Sequence, residues 1–256
     1  MPRYFVTLAY RGAPYHGWQI QPGVITVQEA LEKAFSTVMR SSVAVTGAGR
    51  TDTGVNARRM VAHVDLPAAP ASTQNLVRAL NSILGPDIAV YSIDEVKPDA
   101  HARFDATSRT YHYYAADVKT PFLYPLSWKA PAGLDYDTMN EAAALLLETT
   151  DFTSFAKLHS DARTNICRVT RAEWVELPGG EGHVFIITAD RFLRNMVRAV
   201  VGTLVDVGRH KISIDQFRDI IDRRDRCAAG TSMPPQALFL WDVTYPEDIW
   251  INPQGR

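Results

Sequence analysis

The 256-residue chain has only two cysteines, Cys167 and Cys227, and no Cys-x-x-Cys pair. That pattern provides neither a zinc ligand set nor a disulfide framework, and it suits a reducing compartment. Net charge is almost absent: 27 Lys and Arg stand against 28 Asp and Glu. The basic excess typical of nucleic-acid proteins is therefore missing from the chain as a whole. Long hydrophobic runs are lacking too. The most apolar helical stretch, Met196–Val207, is interrupted by Arg198 and Asp206, so no helix is expected to span a membrane. Met1-Pro2-Arg3 leads straight into an alternating run, Tyr4–Tyr10, without a signal-peptide core. There is no low-complexity segment. What is present, 46% hydrophobic and 21% charged residues, is ordinary globular composition and excludes whole-chain disorder. The expectation is a cytoplasmic protein of one large or two small domains.

Periodicity supplies an order of elements. Arg3–Tyr10 alternates as a strand. Thr26-Val27-Gln28-Glu29 has capping-box spacing, and Val27, Ala30, Leu31, Ala34, Phe35 and Val38 follow on one helical face. Strands are predicted at Val43–Ala48 and Met60–Leu66, a helix at Gln74–Leu84, and a strand at Ile88–Val96. The second half repeats β-α-β-β-α-β with longer pieces. A strand at Thr110–Val118 and a helix at Tyr136–Glu148 are followed by a further turn or two at Asp151–Lys157. A strand pair, Cys167–Leu177 and His183–Ala189, flanks the turn Pro178-Gly179-Gly180. Helices at Phe192–Val207 and Ser213–Asp222 precede a closing strand at Leu238–Tyr245. The fold class is therefore α+β: two tandem ferredoxin-like halves, residues 1–104 and 105–256, with antiparallel sheets and a central cleft. Such a fold hosts many functions, so it assigns none.

Charge is uneven along the chain. Residues 1–62 carry seven basic and three acidic side chains, and residues 63–160 carry seven and twelve. Residues 161–230 return to twelve basic against ten acidic. On the predicted helix Phe192–Val207 and just before it, Arg191, Arg194 and Arg198 are spaced i, i+3, i+7, which would put them on one face. Such a stripe is ordinarily a solvated face, and otherwise a surface that meets RNA phosphates.

The most unusual segment is Gly47-Ala48-Gly49-Arg50-Thr51-Asp52-Thr53-Gly54-Val55, which joins two predicted strands. Its glycines permit a tight loop, and Asp52 sits in the middle with Arg50 nearby. By itself the run favours a structural turn in which Asp52 caps local amides. It is no dinucleotide fingerprint, because the third glycine and following helix are missing.

Its context alters that reading. Tyr10-Arg11-Gly12, Tyr15-His16-Gly17-Trp18-Gln19, Gly47–Val55, Ser108-Arg109-Thr110-Tyr111-His112-Tyr113 and Phe192-Leu193-Arg194-Asn195-Met196-Val197-Arg198 occur in that order. Ala229-Gly230-Thr231 and Pro234-Pro235-Gln236-Ala237-Leu238 follow. The set resembles the tRNA pseudouridine synthase A family over Arg3 to about Tyr245. The resemblance implies that Asp52 is the catalytic aspartate and that Arg50 is the arginine of the same motif. It implies that Tyr111 is the active-site tyrosine, that Arg198 pairs with the aspartate, and that Leu238 lines the uracil pocket. It also implies uridines 38, 39 and 40 of the tRNA anticodon stem-loop as targets, a homodimer, and no cofactor or metal. Asn56 stands where many members have histidine, and Ala237 where glycine is frequent.

These residue types suit the chemistry. The reaction breaks the uracil N1–C1′ bond, turns the base and joins C5 to C1′. A carboxylate can stabilise or trap an electron-poor ribose carbon, as in glycosidases. Asp52 would attack the sugar, attack the base, or act as a base at C2′. Arg198 would hold it ionised. Tyr111 offers a stacking face, whereas Tyr113, on the same side of the strand, reads as core. A stacked target uridine must be extruded, and Arg50 would fill the vacated space or hold a phosphate. Arg11, His16, Trp18, Arg191 and Arg194 are candidate RNA contacts, with packing an equal reading for Trp18. The rivals are a non-catalytic RNA-binding module and a glycosidase that releases free base.

Overall fold

The computed structural model describes residues 1–158 and 163–251. The chain forms two compact units, Met1–Thr107 with the segment from Leu240 onward, and Ser108–Phe239. Helices and mainly antiparallel strands mix in both, so the architecture is α/β with multi-stranded sheet.

The first unit runs β1 (Arg3–Tyr10), α1 (Val27–Met39), β2 (Val45–Gly47), β3 (Asn56–Asp65), α2 (Thr73–Ile83) and β4 (Ile88–Val96). Its strands lie in the order β4-β1-β3, with β2 also on β3. The β1–β3 register sets Phe5 opposite His63 and Leu8 opposite Met60, and shifts between Leu8 and Tyr10. Thr26 caps α1 by accepting the Glu29 N–H, as the spacing predicts. The Glu29 carboxylate meets Lys33 one turn on, at 2.7 Å. Val27, Leu31, Ala34 and Phe35 form the buried stripe of α1, which packs on α2.

The second unit contains β5 (Ser108–Ala116), β6 (Trp128–Lys129), α3 (Tyr136–Glu148), β7 (Val169–Glu176), β8 (Gly182–Ala189), α4 (Met196–Gly208) and α5 (Ile214–Arg223). Its strands lie in the order β5-β8-β7, and the short β6 pairs in parallel with β5. Helix α4 is buried on nearly every side, packed closely on α3 where Gly208 lies against Met139. Ser213 and Gln216 form a full capping box on α5, which the residue pattern at Thr26 had suggested for α1 instead.

The last strand, β9 (Leu238–Thr244), begins in the second unit, but from Leu240 onward the chain belongs to the first. A simple halving at residue 104 places this segment in the second half. Ring contacts and hydrogen bonds decide otherwise. Phe5 meets Tyr245 at 4.9 Å and Trp250 at 5.4 Å between ring centroids. The Lys97 N–H donates to the Ile249 carbonyl, and Arg59 pairs with Asp242 at 2.9 Å.

The further turn expected at Asp151–Lys157 is a 3-10 turn, Thr153–Phe155, with Asp151 accepting the Thr153 N–H. One further sequence reading is corrected. Helix α4 starts at Met196, not Phe192, because Asn195 adopts φ +66° and the Met196 N–H turns back to the Leu193 carbonyl. Arg191 and Arg194 therefore precede the helix, and with Arg198 they form no single helical face.

Candidate active site

Asp52 stands in the β2–β3 connection. The pairing of Val45 with Val64 and Gly47 with Ala62 makes β2–β3 a hairpin, and the Ala48 N–H extends the ladder to Val61. The Val55 N–H then donates to the Asp52 carbonyl at 3.1 Å, a turn completed by Gly54 at φ +79°. The loop is tied down on both sides of Asp52. Thr51 is buried, its hydroxyl 2.8 Å from the Tyr10 hydroxyl, and its carbonyl accepts the Trp18 N–H.

The chain after β1 is folded against this loop at two glycines. A Cβ on Gly12 would lie 2.2 Å from the Val55 carbonyl oxygen, and one on Gly17 2.5 Å from that of Thr51. Gly17 also holds φ +85°, which glycine adopts without strain. Asn56, 1% exposed, accepts the Gly12 N–H at its Oδ1, 2.9 Å away. Its role is thus to fasten the two loops. Between these anchors the Asp52 side chain is half-buried and Arg50 is exposed.

Trp18 is 3% exposed and lies over Gly47, whose Cβ would fall 2.5 Å from the indole. It packs against the start of the loop, and its burial excludes it as a surface contact. Arg11 is exposed and faces Asp87 at 3.5 Å, and His16 is exposed in the same loop.

In the second unit Tyr111 lies on β5 opposite Ile187, half-buried, with its ring edge-on to Phe192 at 4.9 Å and 84°. Arg198, in the first turn of α4, is half-buried and donates its Nε to the Met233 carbonyl. The Met233 N–H returns to the Arg198 carbonyl at 3.1 Å. The 229–233 segment reaches α4 because two glycines remove side chains there. A Cβ on Gly202 would sit 1.8 Å from the Thr231 carbonyl oxygen, and one on Gly230 2.9 Å from the Thr203 amide.

A polar network holds the same segment. Ser232 Oγ accepts from Asn195 Nδ2 at 2.6 Å and from Arg226 Nη2 at 2.9 Å, while Arg226 Nη1 reaches the Gly230 carbonyl at 3.2 Å. A 3-10 turn, Pro235–Ala237, then delivers Leu238, which is 5% exposed. Arg191 is half-buried and Arg194 exposed in the stretch before α4.

Residue types did not single out Thr51, Arg226 or Ser232, and Asn56 stood out only as a departure from the family's usual histidine. The one available signal was that glycines cluster in the motifs these residues fasten. Cys167 is buried, and burial pushes its thiol up to about 12, so it is a poor nucleophile at neutral pH. Among the described residues no group of three or more His, Cys, Asp or Glu is placed to hold a metal ion.

Asp52 thus stands on a loop of the first unit, and Tyr111 within β5 and Arg198 in the first turn of α4 in the second. Comparison with known proteins gives the class: residues 142–246 match the tRNA pseudouridine synthase family model. The chain is 56% identical over 98% of its length, and 93% of the relative's, to the tRNA pseudouridine synthase A of Bacteroides thetaiotaomicron. It is 55% identical to that of Porphyromonas gingivalis, over 98% of this chain and all of that one. A more distant relative from Exiguobacterium sibiricum, also a tRNA pseudouridine synthase A, is 37% identical over 96% of this chain and 98% of its own. The chain belongs to the tRNA pseudouridine synthase A family. It is an isomerase that modifies tRNA.

Proposed function

We propose that this chain converts uridines 38, 39 and 40 of the tRNA anticodon stem-loop to pseudouridine, with Asp52 as the essential carboxylate. The observation that carries the reading is the anchoring of the Asp52 loop: it is fixed at Thr51 and at Val55, and Asp52 between them is half-buried. A carboxylate so held needs little reorganisation to meet the ribose or the base. Tyr111 stacks on the uracil and Leu238 lines its pocket. Arg198 supplies positive charge to the reacting centre, and Arg50 meets the extruded nucleotide or its phosphate. Arg11, His16, Arg191 and Arg194 contact RNA phosphates. The strand order β4-β1-β3 with β2 on β3, and the order β5-β8-β7, support reading the units as tandem ferredoxin-like halves. The protein acts as a homodimer in the cytoplasm, where its substrate tRNA and a reduced thiol pair are both found.

The test uses unmodified tRNA tritiated at uracil C5. Release of label with the base retained at positions 38–40 supports the reading. Free uracil would make the protein a glycosidase, and label released from other positions would overturn the target assignment.

A further inference from the structure

Among the described residues the Tyr113 hydroxyl is a buried side-chain polar atom with no hydrogen-bond partner. Tyr113 is 0% exposed and stands two residues after Tyr111 on β5, so both side chains leave the strand on one face. A desolvated hydroxyl without a partner is unfavourable, and phenylalanine would serve packing better. The surroundings suggest why tyrosine stands there. The 3-10 turn Pro235–Ala237 packs on β5, and just ahead of it Met233 accepts the Arg198 Nε. Burial raises the Tyr113 pKa, and the Arg198 charge acts against that rise, so the guanidinium's field reaches the phenol oxygen.

We propose that Tyr113 is a positioning residue for Arg198: when RNA loads the site, the guanidinium donates an Nη N–H to the phenol oxygen. The oxygen has no competing donor among the described residues, so it is reserved for this bond. With Nε on Met233 and one Nη on Tyr113, the guanidinium plane is fixed from two sides. The inference rests on the reading of Arg198 as an active-site residue.

The test is Tyr113→Phe in the full chain, assayed for melting temperature and for pseudouridine formation under steady-state and single-turnover conditions. The melting temperature should stay level or rise, because the substitution deletes an unsatisfied group. Turnover should fall about tenfold, the scale of one hydrogen bond to a charged group, with KM within about twofold. In an Arg198→Ala background Tyr113→Phe should cost nothing further in single-turnover rate. Wild-type turnover in Tyr113→Phe would reduce Tyr113 to packing, and a lowered melting temperature would show its hydroxyl is already satisfied. An undiminished tenfold loss in the Arg198→Ala background would show that Tyr113 acts independently of Arg198. If Arg198→Ala alone retains full turnover, the active-site reading of Arg198 fails first, whatever Tyr113→Phe does.

Discussion

The two units hold their candidate active-site residues by different means. In the first, the Asp52 loop is fixed largely through the backbone: carbonyls and amides of two loops meet at glycines that allow no side chain between them, with Asn56 and the Thr51–Tyr10 hydroxyl pair adding side-chain bonds. In the second, Arg198 is fixed through side chains: its own Nε on Met233, and the Asn195–Ser232–Arg226 network on the neighbouring segment. A backbone clamp leaves a carboxylate on a rigid stem. A side-chain clamp sets the direction of a long, flexible cation, which would otherwise sample many rotamers. The difference fits the roles proposed for the two groups, and it can be broken from either side.

The largest effect should come from Asp52→Asn. Pseudouridine formation should fall by roughly four orders of magnitude, as when a lone essential carboxylate is lost, while melting temperature and tRNA affinity remain near wild type. A variant that unfolds or no longer binds tRNA would make Asp52 part of the clamp rather than its cargo. Next come the glycines. Gly202→Ala, with its Cβ 1.8 Å from the Thr231 carbonyl oxygen, and Gly17→Ala, at 2.5 Å and φ +85°, should each destabilise by about 2–4 kcal/mol. Denaturant unfolding would check this. Equal stability to wild type in either case would mean that the loop contact there is soft.

Asn56→Ala removes the acceptor for the Gly12 N–H and should cost about 1–3 kcal/mol, with a drop in turnover as the Asp52 loop loosens. Its counterpart, Arg226→Ala, should cost less stability but lower turnover without changing Asn56→Ala's effect when the two are combined. Strong coupling between them would erase the distinction drawn between the units.

The last effect is on pH dependence. His63, which accepts the Ala102 N–H, is pulled down to about 4 mainly by burial and next by Arg3. His112 is likewise lowered to about 4, by burial and then Arg171. In the unfolded chain each takes up a proton near the ordinary value of about 6.5. Between the two values the unfolded state binds more protons, so stability is complete above about pH 6.5 and declines as pH falls toward 4. Melting temperatures measured from pH 7 to 5, above the carboxylate range, should show the decline. His63→Gln and His112→Gln should each flatten it, and an unchanged slope in both would assign it elsewhere.

Much of the fold was legible because its elements obey simple periods. Arg3–Tyr10, Ile88–Val96 and Tyr136–Glu148 have the bounds that alternation and helical spacing predict. The start of α4 was not legible. Phe192, Leu193, Met196 and Val197 keep helical spacing, but the αL turn at Asn195 depends on Ser232, 37 residues away. The arginine stripe failed for the same reason. Trp18 was ambiguous for another: an indole in a Gly- and Pro-bounded loop becomes core only once Gly47 is brought beneath it.

The sequence by itself determined the class of the protein, through motifs whose order and residue types belong to one chemistry, and the order of its strands and helices, through local period. Its near-zero net charge, the sum of a basic first segment and an acidic middle, determined nothing about the partner. Tertiary structure alone decided which residues support the candidate active-site ones. Asn56, Thr51 and Ser232 act through hydrogen bonds to chain segments remote in sequence, and Arg226 steadies the segment Ser232 belongs to, where glycines allow a close approach to α4. Neither property leaves a trace in local pattern, because each is set by what lies opposite.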